Sequence, residues 1–346
     1  IDEGKKEGLD NTIDFSQGNF NFGLNLMLGI AYAASIGGVA TLIGTPPNTV
    51  LAGYLNKTYG YEITFATWMS FGVPLGVILL PLCWLWLTRF ANPMKLKKVP
   101  GGRDLITEEL RKMGSMNTGE RWTALVFALT ALSWIFRKQL GFLFADPKLV
   151  TDAAIAMTGA LVLFLIPINL KKNIFVMDWH WASKMPWGVL VLFGGGLALA
   201  EGFKVTKLAE WIGQQVTLLE NAPVLVLVIA VTTLIIFLTE LTSNTATAAM
   251  VMPILAAIAV GLGQNPMLLL IPAAVAASCA FMLPVATPPN AIVFGSGYVT
   301  IPQMAKSGFG LNIVSIIVAV LFTYLLAIPI FDITIDAIPA WAAVKP

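Results

Sequence analysis

The chain has 346 residues, of which 57% are hydrophobic and only 12% are charged. A soluble globular domain carries about 25% charged residues, so the composition excludes a soluble enzyme domain, and we expect no nucleic-acid partner. The net charge of +2 is uninformative as a total, whereas the distribution of the basic residues is informative. We predict an all-α polytopic protein that passes several times through the lipid bilayer of the cell (inner) membrane.

Apolar segments and their interruptions predict the order of the elements. One apolar segment at residues 22–56 is interrupted within it, and a polar loop follows at residues 91–121. Residues 223–262 are apolar apart from a polar tip, and that tip is too short to reach water between two spans of about 20 residues each. We therefore predict a re-entrant hairpin there. Residues 266–300 carry a second interruption.

The basic residues orient these elements, because cytoplasmic loops carry an excess of Lys and Arg. If the N-terminal loop is inside, fourteen of the 21 Lys and Arg residues fall in inner connections and seven in outer ones. The loop at residues 91–121 is therefore predicted to be cytoplasmic. The hairpin is then predicted to enter the membrane from outside.

The most specific feature is the tetrapeptide Thr-Pro-Pro-Asn, which occurs at residues 45–48 and again at residues 287–290. Two successive prolines stop a helix, because proline lacks the backbone N–H and clashes with the preceding turn. Inside a bilayer, broken backbone is tolerated only where it is buried in protein or lines a water-filled cavity. Two such breaks, related by an internal repeat, mark the ligand site of a secondary transporter.

The predicted site contains almost no charge. Glu240 is the only charged residue between Pro223 and Thr300, and none occurs between Phe22 and Leu55. An anion bound here would be stabilised by helix N-termini, through exposed N–H groups and the macrodipole, and by co-bound cations. Because carbonyl and hydroxyl oxygens suit an alkali cation, we predict an anion that is transported together with sodium.

The polar tip of the predicted hairpin, Ser243-Asn244-Thr245, has two interpretations. Ser, Asn and Thr are ordinary N-cap residues, so the tip would cap a helix over residues 246–257. The same cap directs the helix dipole into the site, and we expect the tip to bind ligand as well. Glu240 is expected either to orient the tip through hydrogen bonds or to pair with a cation.

These motifs resemble those of the divalent anion–sodium symporter family, the INDY-type di- and tricarboxylate transporters. The Ser-Asn-Thr tip and the second Thr-Pro-Pro carry the resemblance, together with Ser-Ile-Gly-Gly at residues 35–38 before the first Thr-Pro-Pro-Asn. The resemblance covers essentially the whole chain. It implies that residues 1–346 form one membrane transporter domain with an inverted-repeat fold. It also implies a homodimer that symports sodium with C4-dicarboxylates such as succinate by elevator-type alternating access.

The resemblance further implies roles for individual residues. The substrate would contact Asn244 and Thr245 at the tip, and Thr45, Pro46, Thr287 and Pro288 at the two breaks. One sodium ion would be held by oxygens of Thr239, Thr242, Asn244 and Ala286, and Gly44 would contribute to another.

One feature departs from the family pattern. The family has a Ser-Asn-Thr motif in each repeat, and only one such motif occurs here, at residues 243–245. We therefore expect the chain to be a fragment that lacks the N-terminal part of the first repeat and half of one sodium site. Such a fragment should not transport in isolation.

Several alternatives remain open at this point. The sequence does not separate dicarboxylates from citrate, sulfate or other divalent anions, nor symport from dicarboxylate exchange. A channel would need a continuous polar pore, which closed hairpin tips and broken helices argue against. Intramembrane proteolysis needs a Ser/His pair, two membrane aspartates or a His-Glu metal motif. None is placed within the predicted spans, so we do not expect an enzyme.

Overall fold

The structure is a computed structural model that describes residues 20–94, 102–144, 146, 149–185, 187–208, 211, 223–335 and 337–343. About 74% of the chain is helical and there is almost no sheet among the described residues, which confirms the predicted all-α class. Residues 95–101 of the predicted cytoplasmic loop and the first 19 residues lie outside the described ranges. In chain order the helices are α1 Asn21–Val39, α2 Pro46–Tyr59, α3 Phe65–Leu85, α4 Gly102–Met113, α5 Thr118–Ile135, α6 Arg137–Gly141, α7 Asp152–Leu165, α8 Trp179–Ala182, α9 Trp187–Val205, α10 Val224–Leu241, α11 Asn244–Gly261, α12 Met267–Ser278, α13 Pro288–Gly295, α14 Ile301–Phe322 and α15 Ile328–Ile330.

Short non-α elements are also present, including a 3-10 turn at Leu170–Lys172. π-helical turns follow α3 at Trp86–Ala91 and α14 at Thr323–Ala327. Strands β1 (Pro167–Asn169) and β2 (Ile174–Phe175) pair antiparallel, with Pro167 opposite Phe175.

The chain forms two compact units. The first is built from the described parts of residues 1–63, 67–97 and 188–346, and the second from those of residues 64–66 and 98–187. Within the second unit, Arg137 Nη1 lies 3.4 Å from Asp152 Oδ1 and Phe65 N–H donates to Asp152 Oδ2. All of the sequence-predicted site residues belong to the first unit. The single transporter domain over residues 1–346 stays a prediction.

Within the described residues, five helical stretches are long and apolar enough to cross a membrane. They are Asn21–Val39, Phe65–Ala91, Val224–Leu241, Asn244–Gly261 and Ile301–Ile330. Helices α10 and α11 have 18 residues each, and only Thr242 and Ser243 lie between them. Whether that pair re-enters the membrane, as the short tip suggests, stays a prediction.

The core of the first unit is α12, in which every residue is buried. This helix packs against α1, α2, α10, α11 and α14. Residues 267–278 are apolar except for Ser278 at the C-terminal end, so that burying them costs no unpaired charge. Because α12 leads directly into the second break, the core holds that break in place.

The predicted orientation can be tested by labelling single cysteines from either side of the membrane. Cys83 and Cys279 are both buried, with 3% and 0% exposure, and would first be replaced. A cysteine at the exposed position Met113 should react only with a cytoplasmic reagent, and one at the exposed position Lys57 only with an external reagent. The opposite pattern would show that the assignment from basic residues is inverted.

Candidate functional site at two facing helix breaks

The two predicted breaks are present, and they lie next to each other. Thr45 Oγ1 in the first break is 3.1 Å from Ser278 Oγ at the end of α12. Tyr32 on α1 donates its hydroxyl to Phe281 O in the second break, at 2.7 Å. In addition α1 packs against α13 and α2 against α12. The first half of each broken helix therefore lies against the second half of the other.

The first break separates α1 from α2. Gly44 N–H donates to Thr41 O at 3.3 Å, which closes a turn, and Thr45 follows as an extended residue at the N-cap of α2. A Cβ atom on Gly44 would lie only 2.4 Å from Gly38 O. The glycine is therefore required by the close approach of α1. Thr45 is 9% exposed, while Pro46 is exposed.

The second break separates α12 from α13 and repeats these features. Ala286 N–H donates to Leu283 O at 3.2 Å, and Thr287 is the extended N-cap of α13. Ala286 and Thr287 are buried, whereas Pro288 is exposed. The residues predicted to hold ligand thus occupy equivalent places in the two breaks, each after a closed turn and before a helix.

The start of α2 and the start of α13 correct one expectation about anion binding. Both helices begin with two prolines, which have no N–H to offer. The N–H of the third residue is already bonded in each: Asn48 donates to Thr45 O at 3.2 Å and Asn290 to Thr287 Oγ1 at 3.3 Å. The exposed N–H groups expected at these two helix starts are therefore absent from the first three positions, which leaves the helix dipole and the threonine hydroxyls.

The tip between α10 and α11 does offer N–H groups. Helix α11 begins at Asn244 rather than at residue 246 as expected, and Ser243 occupies the N-cap position without a side-chain capping bond. The first backbone hydrogen bond runs from Thr247 N to Ser243 O at 2.8 Å. The N–H groups of residues 244–246 precede that bond, and such groups bind anions at helix N-termini.

The side chains of the tip bond to one another and to α12. Thr239 Oγ1 lies 2.7 Å from Asn244 Oδ1 and 3.1 Å from Ala277 O. Thr242 donates its hydroxyl to Leu238 O at 3.0 Å and also contacts the Thr247 hydroxyl. The structure therefore brings together two oxygens of the predicted sodium set, those of Thr239 and Asn244, beside the last turn of α12.

Glu240 joins the tip to the second break. Its carboxylate is 3% exposed and accepts hydrogen bonds from the backbone N–H groups of Phe281, Met282 and Leu283, at 2.8 to 3.1 Å. Asn312 on α14 donates a further bond at 2.7 Å. Such charge-assisted bonds are about twice as strong as neutral ones. Of the two roles predicted for Glu240, the structure shows hydrogen bonding. The groups that donate to its carboxylate belong to the second break and to α14.

A sequence model of one transporter family matches residues 12–332 of the chain; its description is "sodium:sulfate symporter transmembrane region". The chain belongs to this symporter family. Two similar proteins are sodium-dependent dicarboxylate transporters named SdcS. The one from Staphylococcus saprophyticus is 47% identical over 311 residues, which are 90% of this chain and 60% of that protein. The one from Staphylococcus aureus strain USA300 is 46% identical over 304 residues, which are 88% of this chain and 58% of that protein.

Membership of the symporter family fixes the coarse class of the protein. The chain spans about 60% of the length of the curated relatives that it matches, and those relatives are named as transporters and not as enzymes. Together with the five apolar helices, family membership makes this a multi-pass protein of the cell membrane.

The oxygens at the site suit the sodium ion that the family name implies. Among the described residues, no cluster of three or more His, Cys, Asp or Glu side chains could hold a metal. The tip instead provides the neutral hydroxyl of Thr239 and the amide oxygen of Asn244, 2.7 Å apart. Gly44 and Ala286 lie in the unwound stretches between the two halves of each broken helix, and backbone carbonyls of such stretches are typical sodium ligands in transporters.

Some contacts at the site could not be predicted from the sequence. Ser278 is a lone serine in an apolar helix, and nothing in its local pattern indicates that it meets Thr45. The lack of N–H groups at the two proline-initiated helices, in contrast, follows from the sequence itself, because the prolines that break each helix also remove its first two donors.

Proposed function

We propose that the protein symports sodium with C4-dicarboxylates such as succinate across the cell membrane. The observation that carries the proposal is the pair of facing helix breaks, bridged between Thr45 and Ser278 at 3.1 Å, in segments (residues 22–55 and 223–300) that contain no Lys or Arg. A dianion at such a site needs positive charge from elsewhere, and co-bound sodium supplies it. The names of the two relatives, both sodium-dependent dicarboxylate transporters, support this choice of ion and substrate.

The donors at the site suggest how a dicarboxylate is held. One carboxylate is bound at the N-terminus of α11, where the backbone N–H groups and the side chains of Asn244 and Thr245 lie. The other contacts the hydroxyls of Thr45 and Thr287, and the exposed rings of Pro46 and Pro288 form the wall beside it. Because the two proline-initiated helices offer hydroxyls instead of N–H groups, we place the stronger anion contact at the tip.

Sodium ions complete the charge balance in this proposal. One ion is held by oxygens of Thr239, Thr242, Asn244 and Ala286, and the carbonyl of Gly44 contributes to another. Asn244 serves both ion and substrate, so binding of sodium orders the residue that the carboxylate needs. Elevator-type movement and a homodimer are part of the proposal, and they rest on the family resemblance.

Sodium dependence provides the direct test. Uptake of radiolabelled succinate by the full-length protein in proteoliposomes should require external sodium, because the described site offers no cationic side chain to balance two carboxylates. Replacing sodium with choline at constant ionic strength should reduce uptake to the level of empty liposomes. Uptake that is unchanged in choline would rule out the proposed coupling.

Sulfate is a second candidate substrate, because the description of the family names it. Sulfate is a divalent anion and could bind at the N-terminus of α11 alone, whereas succinate spans two groups of donors. A tenfold excess of unlabelled sulfate, citrate or succinate would be added to the uptake assay. Under our proposal only succinate should compete strongly, and strong competition by sulfate would favour this second candidate.

A further inference from the structure

Each of the two Thr-Pro-Pro-Asn motifs ends in an asparagine that is neither a proposed substrate contact nor a proposed sodium ligand. Asn48 and Asn290 are both completely buried, at 0% exposure. Each is the third residue of a helix that follows a break, and each points its amide group back across that break. A buried amide must be hydrogen-bonded to avoid a large desolvation cost, so the partners of these two amides indicate their role.

In the first break the amide nitrogen of Asn48 donates to two carbonyls. It lies 2.9 Å from Thr41 O and 3.2 Å from Val39 O. Thr41 O is also the acceptor for Gly44 N–H, at 3.3 Å. Asn48 therefore fixes the acceptor of the turn that carries Gly44.

In the second break Asn290 makes the same arrangement. Its amide nitrogen lies 3.0 Å from Leu283 O and 3.1 Å from Ala280 O. Leu283 O also accepts from Ala286 N–H, at 3.2 Å. The turn held here carries Ala286, which occupies the position of Gly44 in the other motif. The amide oxygens of both asparagines have no hydrogen-bond partner among the described residues.

We propose that Asn48 and Asn290 are a matched pair of positioning residues, which hold the turns bearing Gly44 and Ala286 so that their carbonyls can bind sodium. The inference rests on the proposed function, because it takes these two carbonyls as sodium ligands. Residues that orient metal ligands typically contribute a factor of about 10 to 100 in metal affinity. Each asparagine should therefore matter for sodium affinity more than for substrate recognition.

The test uses Asn48→Leu and Asn290→Leu in the full-length protein, since leucine keeps the branched outline of the side chain and removes both N–H donors. Two quantities would be measured on purified protein without any transport assay: amide hydrogen exchange in peptides containing Gly44 or Ala286, and the rise in Tm on adding sodium in place of choline. We expect faster exchange at the affected turn in sodium-free buffer. We also expect the sodium concentration for half of the Tm shift to rise about tenfold or more.

Trp68→Phe provides a matched control for Asn48. Trp68 is also completely buried, and its indole donates to the same Val39 O at 3.0 Å, but no bond to Thr41 O is made. The control should lower Tm without changing the sodium response. The asparagine variants could also lose only stability, with unchanged amide hydrogen exchange at the turns and an unchanged sodium concentration for half of the Tm shift. In that case the pair is structural and the proposal is wrong. The same holds if they fail to fold while Trp68→Phe folds.

The outcomes also separate this inference from the proposed function. If the unaltered protein shows no sodium-dependent Tm shift, the proposed coupling fails whatever the variants do. If the unaltered protein shows the shift and both variants keep it at the same half-saturation, only the role of the two asparagines is refuted.

Discussion

Replacing Asn244 with alanine should abolish sodium-dependent succinate uptake while leaving the protein inserted in the membrane. Asn244 is the first residue of α11, and its amide oxygen lies 2.7 Å from the Thr239 hydroxyl. The substitution removes one proposed sodium ligand and one proposed carboxylate contact together. We expect initial uptake rates to fall by more than about 100-fold, as a combined loss of ion and substrate contacts implies.

The measurement needs a control that removes an asparagine without touching the breaks. Asn265 is buried and its amide oxygen accepts from Met267 N at 3.0 Å, at the opposite end of α12 from the second break. Asn265→Ala should lose about 1 kcal/mol of stability, as expected for one lost hydrogen bond, and retain uptake. Normal uptake by Asn244→Ala at matched amounts in the membrane would refute the assignment of the tip.

The second large effect is expected at Gly44. A Cβ at this position would lie 2.4 Å from Gly38 O and 2.7 Å from Thr41 Oγ1, and such distances force the backbone to shift. Gly44 is not among the residues with positive φ, so the constraint is space and not the dihedral angle. Gly44→Val should therefore displace the turn and its carbonyl, and reduce uptake to background. Gly44→Ala should leave a measurable fraction.

Gly37 supplies the comparison for this prediction. It lies in the same stretch of α1, yet a Cβ built on it meets nothing within 4 Å, so Gly37→Ala should transport at the rate of the unaltered protein. Overpacking typically costs 1–3 kcal/mol, so Tm would be recorded for each variant. Full uptake by Gly44→Val would mean that the first break does not need its close contact with α1.

The breaks could be predicted from the sequence because their cause is local. Two successive prolines cannot continue a helix but fit its first turn, and the structure starts α2 and α13 at the two proline pairs. Helix α11 starts at Asn244, two residues before the expected position 246, because several of the tip residues are suitable caps and the sequence does not rank them. The bonds of Glu240 depend on which loop packs beside it. Tertiary packing around α12 determines which loop lies beside Glu240, so the local sequence does not predict these bonds.

Helix α12 is only 12 residues long, and this length has an electrical consequence. At a rise of 1.5 Å per residue the helix spans about 18 Å, less than the hydrocarbon thickness of about 30 Å. If α12 starts at one membrane surface, the break that follows it lies inside the low-dielectric layer, where most of the transmembrane voltage drops. A cation that reaches this depth from water crosses roughly half of that voltage, which corresponds to about 1 kcal/mol per 100 mV. The resting voltage of the cell would then change the occupancy of the proposed sodium site without any conformational change of the protein.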